Sequence, residues 1–509
     1  MGKIVTRQEF AENIRQDLKK ENKKIILCHG VFDIVHPGHI IHFEQAKKMG
    51  DILVVSITSA KYVRKGPGRP YFDDDMRLKF LEAIEYIDYV MISEGYTVDD
   101  IIESVEPDIY VKGEEYKSPE DDITGKISDE KQIVEAHGGK IQFTSGQVFS
   151  STRIINTAMS GLSEDVRAYM ESFKSRHSMK SIREYADSMA NMKVLVIGDV
   201  IIDKYTYCSV QGMMSKDMGY SARFSHSEEY FGGAAAVARH LSTFANVTLM
   251  SVIGNEENIY QRMYGELANE IRLNLLISEN VPTIVKQRYL DMNQKRDEYK
   301  KIFAINNISE RPDYENSVRI KFAEELQRII ASYDAVFLCD FGHGLVDEEL
   351  MDIVQDKAKY LALNCQTNSS NKGMNIITKY HRADGFTLDQ QELKLAYPSY
   401  SDDESCKLQK LSSHLQSDGW LTRGAFGAWE INNAIISECP AFTLSVKDTI
   451  GAGDAFFALA CSFTAAGAPV EVGTFMGNIG GALGANIVGN KNAVEKINAL
   501  KFANTLLNV

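Results

Sequence analysis

Two histidines three residues apart, His36 and His39 in the stretch VHPGH, follow an apolar run and open a helical one. That spacing sets both imidazoles on one side of a first helical turn. The same turn offers unpaired N–H groups and the positive end of the helix dipole, which together make an anion site. Pro37 favours a helix start, and Gly38 leaves room for a ligand to approach the backbone. Two imidazoles aimed at one anion suit a phosphate that gains negative charge in its transition state. An isolated pair of this kind is more often a helix cap than a site, so its neighbours must decide.

A second stretch, DTIGAGDAF at 448–456, precedes an apolar helical run. Gly451 and Gly453, with Ala452 between them, let successive N–H groups converge at a helix start, a hole for a transferring phosphate. Asp454 stands where its carboxylate could take a proton from an attacking hydroxyl. Base, charge cradle and alignment are what phosphoryl transfer requires. A glycine-rich turn beside a capping Asp is the plain alternative.

Strands alternating with helices must position both stretches. The first set runs through 24–33, 51–58, 89–93, 109–113 and 140–145, with helices near 38–49 and 74–86. The second runs through 193–203, 247–254, 335–342, 360–365, 385–389 and 420–424. Short apolar strands separated by helices predict an α/β fold, a parallel sheet covered on both faces. Segments 203–231 and 281–306 alternate like strands and predict a small β appendage. On its second strand, Lys286 and Arg288 share one face, read as a solvated face in preference to a phosphate grip. Charged, helically spaced residues at 158–190 predict a helical connector, leaving domains at 1–157 and 191–509.

Composition narrows the function classes. The 509 residues carry a net charge of −14, which gives no general field for nucleic acid or anionic membranes. The N-terminus has no apolar signal-peptide core, and the uncharged stretch 472–490 is too rich in glycine and asparagine to span a bilayer. Seven scattered cysteines without a C-x-x-C suit reduced thiols in a cytoplasmic enzyme and give no zinc framework.

HGVFDIVHPGH resembles the signature of the cytidylyltransferase-like nucleotidyltransferases, and KGPGRP (65–70), Arg77, Asp88, VKGEEY (111–116) and FSSTRII (149–155) follow in order. The resemblance covers roughly 24–157 and implies a Rossmann-like domain that transfers a nucleoside monophosphate and releases pyrophosphate. It implies that His36 and His39 stabilise the α-phosphate, that Val31 and Phe32 lie along the nucleotide, and that Lys65 neutralises phosphate from a mobile loop. Ser150, Ser151 and Thr152 would cradle the outer phosphates, Lys112 would reach in from a strand end, and Mg²⁺ would assist.

GDVIIDKY (198–205), FGGAAAVARHL (231–241) and DTIGAGDAF resemble the ribokinase-type sugar kinases, and TRGAFG (422–427) fits the turn those enzymes place beside ATP. The resemblance implies a ribokinase-like domain with Asp199, Asp203, Gly232 and Gly233 lining a sugar pocket. It places Asp389, Gly424, Gly427, Gly451, Ala452 and Gly453 at the nucleotide, and makes the β appendage a lid through which two chains pair. Two departures stand out: Ala236 replaces a usual Asn, and Asp389-Gln390-Gln391-Glu392 replaces Asn-x-x-Glu.

Both domains on one chain resemble the bifunctional heptose kinase/adenylyltransferases of ADP-heptose synthesis, in reversed order. The resemblance implies phosphorylation of heptose 7-phosphate at the anomeric position and nucleotidyl transfer to a sugar 1-phosphate. ATP or CTP as nucleotidyl donor stays open, and so do two alternatives: a CTP-dependent cytidylyltransferase for a sugar or polyol phosphate fused to a kinase of other specificity, and a sugar-binding kinase-like domain that only regulates the transferase. The partners are small sugar phosphates and nucleotides, with no nucleic acid or membrane.

Overall fold

A computed structural model describes residues 2–63, 69–113, 127–144, 163–216, 218–256, 258–292, 300–310, 312–368, 371, 373–442 and 446–508. Its contacts divide the chain into two units, Met1–Leu162 with Leu500–Val509, and Ser163–Ala499.

In the first unit a six-stranded sheet is built from β1 (Lys3–Ile4), β2 (Ile25–Gly30), β3 (Ile52–Thr58), β4 (Tyr89–Ser93), β5 (Ile109–Gly113) and β6 (Lys140–Thr144). The run IILC in β2 is apolar throughout because both faces are covered: Ile25 and Leu27 enter one core, Ile26 and Cys28 the other. The order is β1-β4-β3-β2-β5-β6 and every pairing is parallel. The chain thus moves outward from β2 through β3 to β4, then returns to lay β5 on the other side of β2. That reversal opens a crevice beyond the carboxyl ends of β2 and β5, where α/β sheets bind ligands.

The second unit holds a nine-stranded sheet with order β11-β10-β7-β14-β15-β16-β17-β18-β19. Its strands are β7 (Lys193–Gly198), β10 (Asn246–Gly254), β11 (Arg272–Ser278), β14 (Ala335–Asp340), β15 (Leu361–Cys365), β16 (Gly385–Asp389), β17 (Gly419–Thr422), β18 (Ala428–Asn432) and β19 (Ile435–Cys439). The first seven pair in parallel, and β18 and β19 complete the edge as an antiparallel hairpin. A separate four-stranded sheet, order β13-β12-β8-β9, is made from β8 (Val200–Met213), β9 (Tyr220–Gly233), β12 (Ile284–Asp291) and β13 (Lys300–Asn307). It is the appendage expected from 203–231 and 281–306.

Three differences from the sequence reading have physical causes. The single strand expected at 193–203 is broken at Asp199, and its halves serve different sheets. Gly198 permits the break with φ +155°; a Cβ there would come within 2.2 Å of the Cys339 carbonyl oxygen. Strands β11, β18 and β19 carry polar residues between apolar ones and were not anticipated. Helices Glu164–Lys174 and Met179–Ser188, expected as a connector, pack within the second unit: Phe173 stacks on Phe475 at 4.4 Å, and His177 Nε2 lies 2.9 Å from Glu471.

Candidate functional site

In the first unit, β2 delivers the chain into a loop and then into helix Pro37–Lys47. His36 is its N-cap, extended at φ −136°, and its Nδ1 accepts from the Gly38 N–H at 3.1 Å, with Pro37 in the first turn. The His36 and His39 rings stack at 3.9 Å, and the Phe32 ring meets His39 edge-on at 5.2 Å. Burial lowers the His36 pKa. Phe32 adopts φ +43° and turns its ring into the core, over Gly30, where a Cβ would approach it within 3.0 Å. Its side chain is therefore committed to packing. Val31 is fixed through its carbonyl, which accepts from the buried Arg77 guanidinium at 2.7 Å; Arg77 also binds the Thr58 carbonyl.

Lys112 sits at the end of β5, paired with Glu130 at 2.8 Å, with both side chains 12% exposed. A largely covered, paired lysine is not the solvated strand end that a sequence alone allows. Neighbouring His29, on β2, has its pKa pushed down to about 3 by burial and then by Lys112; its ring nitrogens meet Ser56 Oγ and Thr58 Oγ1. Asp88, quoted as a motif residue, accepts from the Leu53 N–H and from Lys47, and so braces strand and helix. Lys65, Ser150, Ser151 and Thr152 lie outside the described residues.

In the second unit, helix Ala452–Ala465 begins at Gly451, which has φ +81° and lies so close to Asn490 that a Cβ would be 1.9 Å from Oδ1. Gly453 in that first turn has no atom within 4 Å of an ideal Cβ, leaving the cradle open. Asp454 follows, partly buried, and burial above all raises its pKa to about 6. The charges of Asp203 and Lys286 also reach it. Asp203, on β8, receives Arg288 at 2.5 Å and Asn490 Nδ2 at 3.4 Å. Asp199 lies at the break between β7 and β8, 3% exposed; burial and then Asp340 push its pKa up to about 7. Gly232 and Gly233 leave no room for a side chain, since a Cβ on Gly232 would strike Asp203 and one on Gly233 the Asp199 carbonyl. Ala236 is buried in helix Ala234–Ser242.

Lys286 and Arg288 are not on a solvated face, which corrects the sequence reading. Arg288 pairs with Asp203, and Lys286 stands opposite Asp203 in register, where its pKa is lowered by burial. The strand face turns toward the carboxylates. Asp389 caps helix Gln390–Ala396 in a reciprocal capping box with Glu392, whose pKa burial and Asp389 raise to about 7. Gly424 and Gly427 flank the turn from β17 to β18 with φ +56° and +89°.

Several site residues escaped the sequence reading. Asp340 ends β14 fully buried, receiving Lys379 at 2.6 Å, Tyr380 OH at 2.7 Å and the Gly342 N–H at 2.9 Å. An acid at a strand end before a glycine was the available signal. Gln366 and Asn490, distant in sequence from the motifs, had none. Among the described residues no group of three or more His, Cys, Asp or Glu could hold a metal ion, and no helix is long and apolar enough to cross a membrane.

A pfkB family carbohydrate kinase model matches residues 191–497, and a cytidylyltransferase-like model matches residues 27–157. The chain belongs to the pfkB family of carbohydrate kinases and carries a cytidylyltransferase-like domain ahead of the kinase domain. It combines the two enzyme classes, nucleotidyltransferase and carbohydrate kinase, with a Rossmann-like and a ribokinase-like fold. The bifunctional protein HldE of Desulfatibacillum aliphaticivorans is 39% identical over 149 residues, 29% of each chain. That of Trichlorobacter lovleyi is 34% identical over 163 residues, 31% of each chain. These matches fall in the N-terminal part, so the chain spans under a third of the length of the curated relatives it matches. Phosphofructokinase-2 from Escherichia coli, in complex with substrates and products, aligns over 62% of this chain and 99% of its own, with TM-score 0.50 and 14% identity. Its potassium complex gives TM-score 0.50 at 13% identity. At that identity the likeness concerns the fold.

Proposed function

We propose that the chain is a bifunctional enzyme of nucleotide-sugar synthesis: an ATP-dependent sugar kinase acting at the anomeric hydroxyl, and a transferase joining a nucleoside monophosphate to a sugar 1-phosphate. Heptose 7-phosphate is the proposed kinase substrate and ADP-heptose the proposed final product. The observation that carries this reading is the placing of Asp454 at the open glycine-rich helix start, within the electrostatic reach of Asp203 and Lys286.

In the kinase, Asp199 and Asp203 hold sugar hydroxyls, each carboxylate accepting more than one. Asp454 takes the proton of the attacking hydroxyl as its oxygen bonds to the γ-phosphorus of ATP and ADP leaves. The N–H groups of Gly451, Ala452 and Gly453 receive the phosphoryl charge. Asp389 suits Mg²⁺: its cap uses one oxygen, Oδ1, and the exposed carboxylate has a second. Bound there through water, the ion would neutralise ATP phosphate charge.

In the transferase, an oxygen of the sugar 1-phosphate attacks the α-phosphorus of the nucleotide and pyrophosphate leaves. His36 and His39 stabilise the charge that develops, and Lys112 attracts the anion at the end of β5. Lys65 and the segment Ser150-Ser151-Thr152 would hold the outer phosphates.

The setting proposed is the cytoplasm, in keeping with seven unpaired cysteines. A homodimer through the four-stranded lid is supported by its exposed apolar residues, among them Phe224, Phe303 and Ile305; light scattering would test it.

The deciding experiment supplies heptose 7-phosphate and sugar 1-phosphates separately with each nucleoside triphosphate and reads products by mass spectrometry. ATP-dependent bisphosphate and an ADP-sugar are expected. A CDP-sugar would make CTP the donor. Absence of sugar phosphorylation would leave a domain that regulates the transferase.

A further inference from the structure

We propose that Gln366 is the positioning residue of the kinase base: it donates to Asp454 Oδ1 and leaves the other carboxylate oxygen to take the substrate proton. This rests on the reading of Asp454 as that base.

A chain of forced orientations fixes the donor. The Thr387 backbone carbonyl, on β16, can only accept, so Asn364 must turn its Nδ2 toward it, at 3.2 Å. The same Nδ2 lies 3.0 Å from Thr387 Oγ1. Asn364 therefore shows its Oδ1 to Gln366, which must answer with an N–H; Nε2 lies 2.7 Å away. The second N–H of that amide points to Asp454 Oδ1 at 2.9 Å. Both amide protons are thereby used, and a flipped Gln366 would set oxygen against oxygen twice.

Its backbone is held as firmly. The Gln366 N–H donates to the Asp340 carbonyl at 2.8 Å, and its own carbonyl accepts from Asn375 Nδ2 at 3.0 Å. The side chain thus reaches Asp454 from the carboxyl end of β15, anchored to β14 and β16 on either side. A donor held this way favours the ionised carboxylate. It opposes Asp203 on β8, which disfavours ionisation, and acts with Lys286 on β12; Cys339 on β14 and Glu392 on helix Gln390–Ala396 also face Asp454.

The test uses the full chain with Gln366→Leu and the near-isosteric Gln366→Glu, following ATP-dependent sugar phosphorylation across pH. With fewer Asp454 carboxylates ionised, kcat should fall about twofold near pH 7 and about tenfold near pH 5. KM for the sugar should stay within about twofold, because binding falls to other carboxylates. The acid limb of the rate profile should move up by about one pH unit in both variants. An equal loss at every pH with the limb unmoved, or no loss, would overturn the proposal. A second measurement does not depend on turnover: carboxyl ¹³C titration of the ligand-free chain, with Asp454 assigned through Asp454→Asn. The Asp454 titration should move upward in Gln366→Leu; an unmoved titration overturns the proposal. A wild-type chain that phosphorylates no sugar would count against the kinase reading, while the carboxyl titration would still decide the role of Gln366.

Discussion

His36 has its Nδ1 occupied as an acceptor by the Gly38 N–H, so in the neutral ring the proton resides on Nε2. Burial lowers its pKa and so favours the neutral ring. In that form it would meet the phosphate of the proposed transferase reaction as a hydrogen-bond donor, beside the stacked ring of His39. Replacing His39 by Ala should slow pyrophosphate release about a hundredfold or more, the scale for losing one transition-state partner. An unchanged rate would make the pair structural. Asp454 is a base only when ionised, and its pKa is raised to about 6. Sugar phosphorylation should accordingly fall as pH drops through that value, and a profile flat down to pH about 5 would exclude Asp454 as the base.

At the scale of elements, the helix start at Gly451 has little freedom to change. Its φ of +81° and the nearness of Asn490 both resist a side chain. Gly451→Ala should lower phosphorylation at least about tenfold through displacement of the N–H cradle, while pyrophosphate release stays near wild type. Equal activity in both assays would show that this turn does not hold phosphate. The glycines and acids of such motifs were legible in the sequence because local spacing determines a helix start. The parallel strands were legible because continuous apolar runs need two covered faces, as IILC does. What joins the site was not legible. Asn490 meets Asp203 from 287 residues away, and Gln366 meets Asp454 from 88. Register had the same effect on Lys286 and Arg288. Period-two alternation places both on one face, but only the pairing of β12 with β8 sets that face against Asp203.

Across the whole molecule, the two units should answer pH in opposite directions. In the first, burial lowers His29 to about 3 and His42 to about 4. Below the ordinary histidine value the unfolded chain binds protons that the folded unit refuses, so stability rises as pH climbs toward about 6.5. In the second, Asp199, Glu392 and Glu430 are raised to about 7 and Asp454 to about 6. There the folded unit binds the extra protons, so stability is lost as pH climbs from the ordinary carboxylate range through those values. His240 and His343, both lowered to about 4, oppose this in part. Calorimetry at pH 5 and 7 should show one transition moving up and the other down; parallel shifts would contradict this assignment of charge. The central claim is that one chain carries two chemistries with separate catalytic groups. Its most direct test is Asp454→Asn, with both reactions measured on the same preparation. ATP-dependent phosphorylation of the sugar should disappear while nucleotidyl transfer with pyrophosphate release stays near the wild-type rate; equal loss of both would contradict the account.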